Sequence, residues 1–249
     1  MKRRILLSGL MALPFAASAR AEQAWSAELL QGNFDGKAYQ AGLRITLQPG
    51  WKTYWRNPGE GGIPPTITVD GDNLASFTVV APLPIRIEDE GGEAIGYHDE
   101  VVFPLFLTPK NVAGPLAVSV KSFFGVCAQV CSPAKFEGEL QFQHNVAPSA
   151  SAQKLNQWLA RVPQKQNFIA ASSVRDGQLV LELQQPVDDI FVEGPDRYYF
   201  RKPDLNHQAG TAIIKVDGLK ADSGLMAAKL RITAAAQGHG IEQTITLAS

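Results

Sequence analysis

The feature that most constrains this chain is the rhythm of its apolar residues. They recur in short runs, and glycine or proline ends each run before it can lengthen. Ala41 to Gln48 stops at Pro49-Gly50, and Thr66 to Val69 is bounded by Pro64-Pro65 and Asp70-Gly71. Phe77 to Val80, Val101 to Leu107 and Leu116 to Phe124 follow. In Phe136 to His144 the alternation is clearest: Leu140, Phe142 and His144 share one face, and Glu139, Gln141 and Gln143 the other. Many short strands separated by turn residues predict an all-β chain built from antiparallel sandwiches.

The rhythm changes once, at Pro148. Ser149 or Ser151 can cap a short helix in which Leu155, Trp158, Leu159 and Val162 recur at helical spacing, until Pro163 ends it. Its apolar stripe is expected to pack on a sandwich. After Gln166 strands return, with Leu179, Leu181 and Leu183 alternating, then Leu230, Ile232 and Ala234, then Ile241, Gln243, Ile245 and Leu247. The expected organisation is therefore a larger sandwich over 22–147, a helical connector over 148–165 and a second, smaller sandwich over 166–249. No sequence repeat links the halves.

The first 21 residues read as an address. Lys2-Arg3-Arg4 precedes a mostly apolar run from Ile5 to Ala17, and small residues follow, with cleavage expected after Ala21. The run is short for a membrane span, and no later stretch approaches ~18 consecutive apolar residues. Export to a bacterial periplasm, with no transmembrane segment in the mature chain, is the expectation. The leader also hides a charge imbalance. It holds four basic residues and no acid, so the other 228 residues carry 19 basic against 24 acidic groups, a net charge of −5. That sign disfavours binding to a phosphate backbone, so nucleic acid is not an expected partner.

The strongest chemical signal is Gly125-Val126-Cys127-Ala128-Gln129-Val130-Cys131-Ser132-Pro133, which holds both cysteines of the chain. Two thiols are too few for a disulfide-dense scaffold or an all-cysteine zinc site. Three readings stay open. A structural bridge across so small a loop would restrict the unfolded chain by only roughly 2 kcal/mol. A redox pair this close in sequence could open and close without unfolding the domain: one thiolate attacks a partner's disulfide and the other resolves the mixed disulfide. Lys121 and Lys135 could favour the thiolate. A copper(I) site would use both thiolates plus a histidine. However, His98, His144, His207 and His239 are scattered, and His144 continues an apolar face.

Other catalytic patterns are weak. No phosphate loop, His-Glu-x-x-His or Gly-x-Ser-x-Gly is present. The acids Glu88, Asp89, Glu90, Glu93, Asp99 and Glu100 lie among Gly91, Gly92 and Gly96, which suggests a solvated, mobile loop.

Three stretches together resemble a known family. They are Pro49-Gly50-Trp51-Lys52-Thr53-Tyr54-Trp55-Arg56-Asn57-Pro58-Gly59-Glu60, then Ile95-Gly96-Tyr97-His98-Asp99-Glu100-Val101-Val102-Phe103-Pro104, then Phe124 through Pro133. In this order they resemble the N-terminal periplasmic domain of the thiol:disulfide interchange proteins DsbD and ScsB, over roughly Trp25 to Asn145. The C-terminal half loosely resembles the additional sandwich of the ScsB type. The resemblance implies immunoglobulin-like sandwiches and a thiol:disulfide oxidoreductase of the protein-disulfide reductase type. It implies a membrane-embedded electron donor and periplasmic thioredoxin-like partners, with no bound cofactor or metal. It implies a Cys127–Cys131 disulfide in the oxidised form, Cys131 as the attacking thiol and Cys127 as the resolving one. A cap over the pair maps onto Glu93 to Asp99, with Tyr97 as the shield and Ile95 second; ordinary packing at a strand edge is the alternative for Tyr97. The full-length relatives also carry a membrane-spanning carrier, and DsbD a thioredoxin-like end with Cys-x-x-Cys. Neither is expected here, so the chain would not move electrons across a membrane alone. The three residues between the cysteines resemble ScsB more than DsbD.

Overall fold

The computed structural model describes residues 23–59, 61–89, 92–142, 149–219 and 222–248. The expected leader at 1–21, together with Glu90, Gly91 and His144, lies outside these residues. The first half holds ten strands: β1 (Trp25–Phe34), β2 (Tyr39–Leu47), β3 (Lys52–Gly59), β4 (Thr66–Asp70), β5 (Leu74–Val79), β6 (Ile85–Asp89), β7 (Gly92–His98), β8 (Glu100–Pro109), β9 (Leu116–Cys127) and β10 (Cys131–Phe142). They form two antiparallel sheets, one ordered β1-β2-β8-β5 and the other β10-β9-β3-β7-β6, with β4 also paired to β9. Leu43, Ile45, Trp55, Phe103, Leu105, Val118, Val120 and Phe124 meet between the sheets and are all but excluded from solvent.

Helix α1 (Ala150–Leu159) follows. Ser149 caps it, its Oγ accepting from the Ala152 N–H at 3.2 Å, one of the orphan donors of the first turn. The expected apolar stripe docks on the outer face of the first sheet, with Leu155 and Trp158 buried in the first core. Two glycines make that possible. A Cβ on Gly32 would lie 2.6 Å from Leu155 Cδ2, and one on Gly42 would lie 2.9 Å from Leu155 Cδ1. The connector is thus part of the first sandwich. Glu100 ties them together: its carboxylate receives Arg44 Nε at 2.7 Å, Lys154 Nζ at 2.6 Å and Trp158 Nε1 at 3.3 Å.

The second half adds β11 (Gln164–Lys165), β12 (Ile169–Arg175), β13 (Gln178–Leu183), β14 (Asp189–Glu193), β15 (Tyr199–Phe200), β16 (Asp204–Asn206), β17 (Thr211–Asp217), β18 (Lys229–Ala236) and β19 (His239–Thr246). Their sheets run β11-β19-β18-β14 and β12-β13-β17-β15, with β16 also on β17. The alternating leucines and isoleucines of β13, β17 and β18, among them Leu179, Leu181, Ile214, Leu230 and Ile232, form a separate core. The architecture is all-β and immunoglobulin-like, as the strand rhythm and the resemblance predicted. Among the described residues no helix is long and apolar enough to cross a membrane.

Candidate functional site

The two cysteines face each other across the open end of one hairpin. β9 finishes at Cys127 and β10 begins at Cys131, leaving Ala128, Gln129 and Val130 as the turn. Cys127 and Cys131 are register partners with Cα atoms 4.1 Å apart, and a disulfide joins them. Direct neighbours in a non-hydrogen-bonded antiparallel pair sit about 4.5 Å apart, so the bridged Cα atoms are at a spacing close to that of an ordinary ladder.

The two residues differ in access. Cys127 is 4% exposed, whereas Cys131 lies on the surface beside Val130, which is 74% exposed. Strand alternation explains the burial of Cys127. On β9, Phe124 and Val126 point into the sandwich core, which sends Gly125 and Cys127 to the other face. There Cys127 joins a small buried cluster with Tyr54 of β3, Ile87 of β6 and Ala94 of β7. Lys52 of β3 is its cross-strand neighbour and is 5% exposed.

Tyr54 is the aromatic residue at the sulfurs. Its hydroxyl lies 3.0 Å from Cys131 Sγ. A disulfide sulfur carries no proton, so the phenol donates. Glycines shape its seat. A Cβ on Gly125 would stand 2.9 Å from Tyr54 Cε2, and a Cβ on Gly62 would fall on the ring itself. Gly62 has φ 134°, a conformation that suits glycine. The next residue, Ile63, accepts the Gly125 N–H at 3.0 Å, and Thr53 Oγ1 donates to the Gly125 carbonyl at 2.7 Å. The Tyr54 ring is therefore held between the 61–63 segment and the cysteine strand.

The shield residues expected from sequence are placed differently. Alternation along β7 turns Ile95 and Tyr97 into the sandwich core and leaves Ala94 on the disulfide face. Tyr97 is 5% exposed, its ring meets Phe103 edge-on at 5.8 Å, and its hydroxyl donates to the Pro82 carbonyl at 2.8 Å. Burial pushes its phenol well above the ordinary value. Lys121 and Lys135 are exposed on β9 and β10, pairing in register with Glu137 and Phe123. Lys52 is the lysine aligned with Cys127, and its place in the Trp51-Lys52-Thr53-Tyr54 stretch was the available signal. His98 stands opposite Lys52 in register, with Nδ1 3.2 Å from the Trp51 carbonyl. His207 and His239 belong to the second half. Among the described residues no group of three or more His, Cys, Asp or Glu side chains is arranged to hold a metal ion.

Where the sequence suggested a solvated loop, the described residues of the acidic stretch lie on the strands β6 and β7 and at the start of β8. Glu88 and Glu93 have specific partners. Glu93 bonds Arg86 at 2.6 Å and the Tyr199 hydroxyl at 3.0 Å, and Glu88 bonds Lys202 at 3.0 Å. Asp99 forms the turn into β8 at φ 59°, where its carbonyl accepts the Leu47 N–H at 2.7 Å.

A family model described as "Thiol:disulfide interchange protein DsbD, N-terminal" matches residues 19–143, half of the chain. The chain belongs to the DsbD N-terminal family. The DsbD match contains both cysteines, Tyr54, Lys52 and the β6–β7 hairpin, and it stops before α1 and the second sandwich. Among solved structures, the N-terminal periplasmic domain of ScsB from Proteus mirabilis aligns over 92% of this chain and 95% of that one, with 24% identity and a TM-score of 0.72. The two-sandwich fold is thus shared with that protein. The DsbD N-terminal domain of Neisseria meningitidis, in its reduced form, aligns over 51% of this chain and 91% of that one, with 18% identity and a TM-score of 0.31. No curated protein matches the chain.

Proposed function

We propose that this chain is a periplasmic thiol:disulfide exchange protein that passes electrons between a membrane-embedded dithiol of the DsbD/ScsB type and thioredoxin-like partners. The observation that carries this reading is the inequality of the two sulfurs. Cys131 is exposed at a hairpin end beside Val130, and Cys127 is buried one bond behind it. An inert staple gains nothing from that arrangement, whereas an exchange reaction needs one sulfur for the partner and one held in reserve.

The steps follow from the geometry. In the reduced protein the Cys131 thiolate attacks one sulfur of the partner's disulfide. A Cys131–partner bond forms, the partner's bond breaks, and its second sulfur leaves as thiolate. The Cys127 thiolate then attacks Cys131 Sγ, restoring the Cys127–Cys131 bond and expelling the partner's remaining sulfur. The partner has gained two electrons, and two protons from solvent complete its dithiol. The membrane-embedded dithiol reduces the pair again by the same exchange. Tyr54 assists by donating to Cys131, which favours its thiolate over its thiol. Ile95 and Tyr97 serve the site indirectly by anchoring β7 in the core. Export on residues 1–21 brings the chain to a compartment where disulfides persist.

Trapping tests the assignment. Cys127→Ala should accumulate mixed disulfides with thioredoxin-like proteins in periplasmic extracts, and Cys131→Ala should not. The reverse pattern would exchange the two roles, and adducts from neither variant would remove the exchange reaction altogether.

A further inference from the structure

The second sandwich has no part in the steps above, yet it grips the hairpin whose Ile87 and Ala94 share a buried cluster with Tyr54 and Cys127. We infer that it latches the β6–β7 hairpin over the buried sulfur, with Arg86 as the positioning residue of the latch. This inference builds on the exchange reading.

The hairpin has two working faces. Ile87 and Ala94 belong to the buried cluster that Tyr54 and Cys127 complete. Arg86 and Glu93, the preceding residues on each strand, point to the second sandwich. Arg86 Nε reaches Asp189 Oδ1 and Oδ2 at 3.1 and 2.9 Å, and Nη2 donates to the Ile190 carbonyl at 2.7 Å. Nη1 donates to Glu93 Oε1 at 2.6 Å, and the guanidinium lies 5.0 Å over the Phe191 ring. Asp189, Ile190 and Phe191 are consecutive residues of β14. The Arg86 side chain is only 6% exposed. A buried guanidinium with this set of partners resists displacement, because losing one partner leaves a desolvated charge uncompensated. Tyr199 adds its hydroxyl to Glu93; burial first, then the Glu93 charge, push that hydroxyl up to about 12, so it stays a donor through the neutral range.

The hairpin needs this grip because its own ladder, intact in the row of Cys127, is interrupted before it reaches Ala94. Among the described residues β6 is an edge strand paired to β7 alone. β7 pairs with β3 at Lys52, Thr53 and Tyr54, and then not again until Gly59 meets Ala94 across a bulge. The bulged stretch itself leaves for the second sandwich: Arg56 Nη2 bonds Glu193 at 2.7 Å, and Asn57 Nδ2 bonds the Val192 carbonyl at 3.2 Å. Elements with few ladder bonds open locally at low cost. Contacts to β14 and β15 therefore set how often Cys127 is uncovered.

The test uses the full chain carrying Cys131→Ala, reduced, and reads the rate at which N-ethylmaleimide alkylates Cys127 across pH. Adding Arg86→Met should raise the rate roughly tenfold or more. Arg86→Lys, which keeps the charge but not the fork, should fall between, and Tyr199→Phe should raise it about twofold to threefold. The apparent pKa of the profile should stay fixed, because opening changes and thiol acidity does not. Unchanged rates in Arg86→Met would overturn the latch. So would an acceleration matched by equal acceleration of amide exchange at Ile214 and Ile232 in the second core, the mark of global unfolding. If Arg86→Met does not fold, Tyr199→Phe decides, and an unchanged rate there overturns the latch. Alkylation needs no redox partner. Failed trapping with a working latch would thus describe a covered but inert bridge, while productive trapping without a latch would leave exchange intact.

Discussion

At the scale of single residues, the site turns on which aromatic side chain reaches the sulfurs. Both Tyr54 and Tyr97 sit in stretches that carried the family resemblance, and sequence alone pointed to Tyr97. The decision belongs to register. Thr53 pairs with Tyr97 on one side and Val126 on the other, so Tyr97 shares the core-facing set with Val126, and Tyr54 shares the opposite face with Cys127. Pairings between residues more than forty positions apart leave no local trace in the sequence. The cysteine pair, by contrast, was legible, because its chemistry depends on residue type and close spacing. Tyr54→Phe should raise the pKa of the Cys131 thiol by about one to two units, since a hydrogen bond to a charged group is worth about 1.5–3 kcal/mol. The pH dependence of alkylation in the Cys127→Ala background measures this directly, and an unmoved profile would leave the hydroxyl without influence on the thiolate.

At the scale of elements, alternation was a good guide where one face of a strand meets the core and the other meets water. β4 and most of β9 and β10 fit that description. β3, β6 and β7 did not stand out, because glycines, prolines and charges break their pattern and their polar residues bond to the second sandwich. β8 is buried on both faces over Val101 to Leu105, since α1 covers the side that would otherwise face water. The helix was legible from its stripe and cap. Its docking partner was not, because the sockets at Gly32 and Gly42 are defined by missing side chains. Leu155→Ala should cost about 2–5 kcal/mol in urea unfolding, toward the upper end because neither glycine can fill the space left behind. A loss below 1 kcal/mol would mean that the helix rests loosely on the sheet.

At the scale of the whole molecule, charged junctions join parts that the sequence could only suggest as separate. Glu100 is the clearest. Burial pushes its carboxyl up, but the hydrogen bonds and charges of Lys154 and Arg44 outweigh that and hold it below the ordinary glutamate range. A lowered folded-state pKa stabilises above the unfolded value, and the benefit is lost as pH falls through the folded one. Glu100→Gln should therefore melt about 2–4 °C below the parent chain at neutral pH, with the gap closing as the solution is acidified past the carboxylate range. Parallel melting curves at every pH would show that the junction is held by packing alone. The acids of the β6–β7 hairpin were visible as a cluster but not as a junction, because Lys202 on Glu88, Tyr199 on Glu93 and Asp189 on Arg86 all come from the far half of the chain.

The bridge between register partners also has a mechanical meaning. Cys127 and Cys131 stand opposite each other in the ladder, so the hairpin's backbone pairing runs right up to the bridge. In the proposed exchange each turnover would then ask for little atomic rearrangement beyond two side-chain rotations on a standing backbone scaffold.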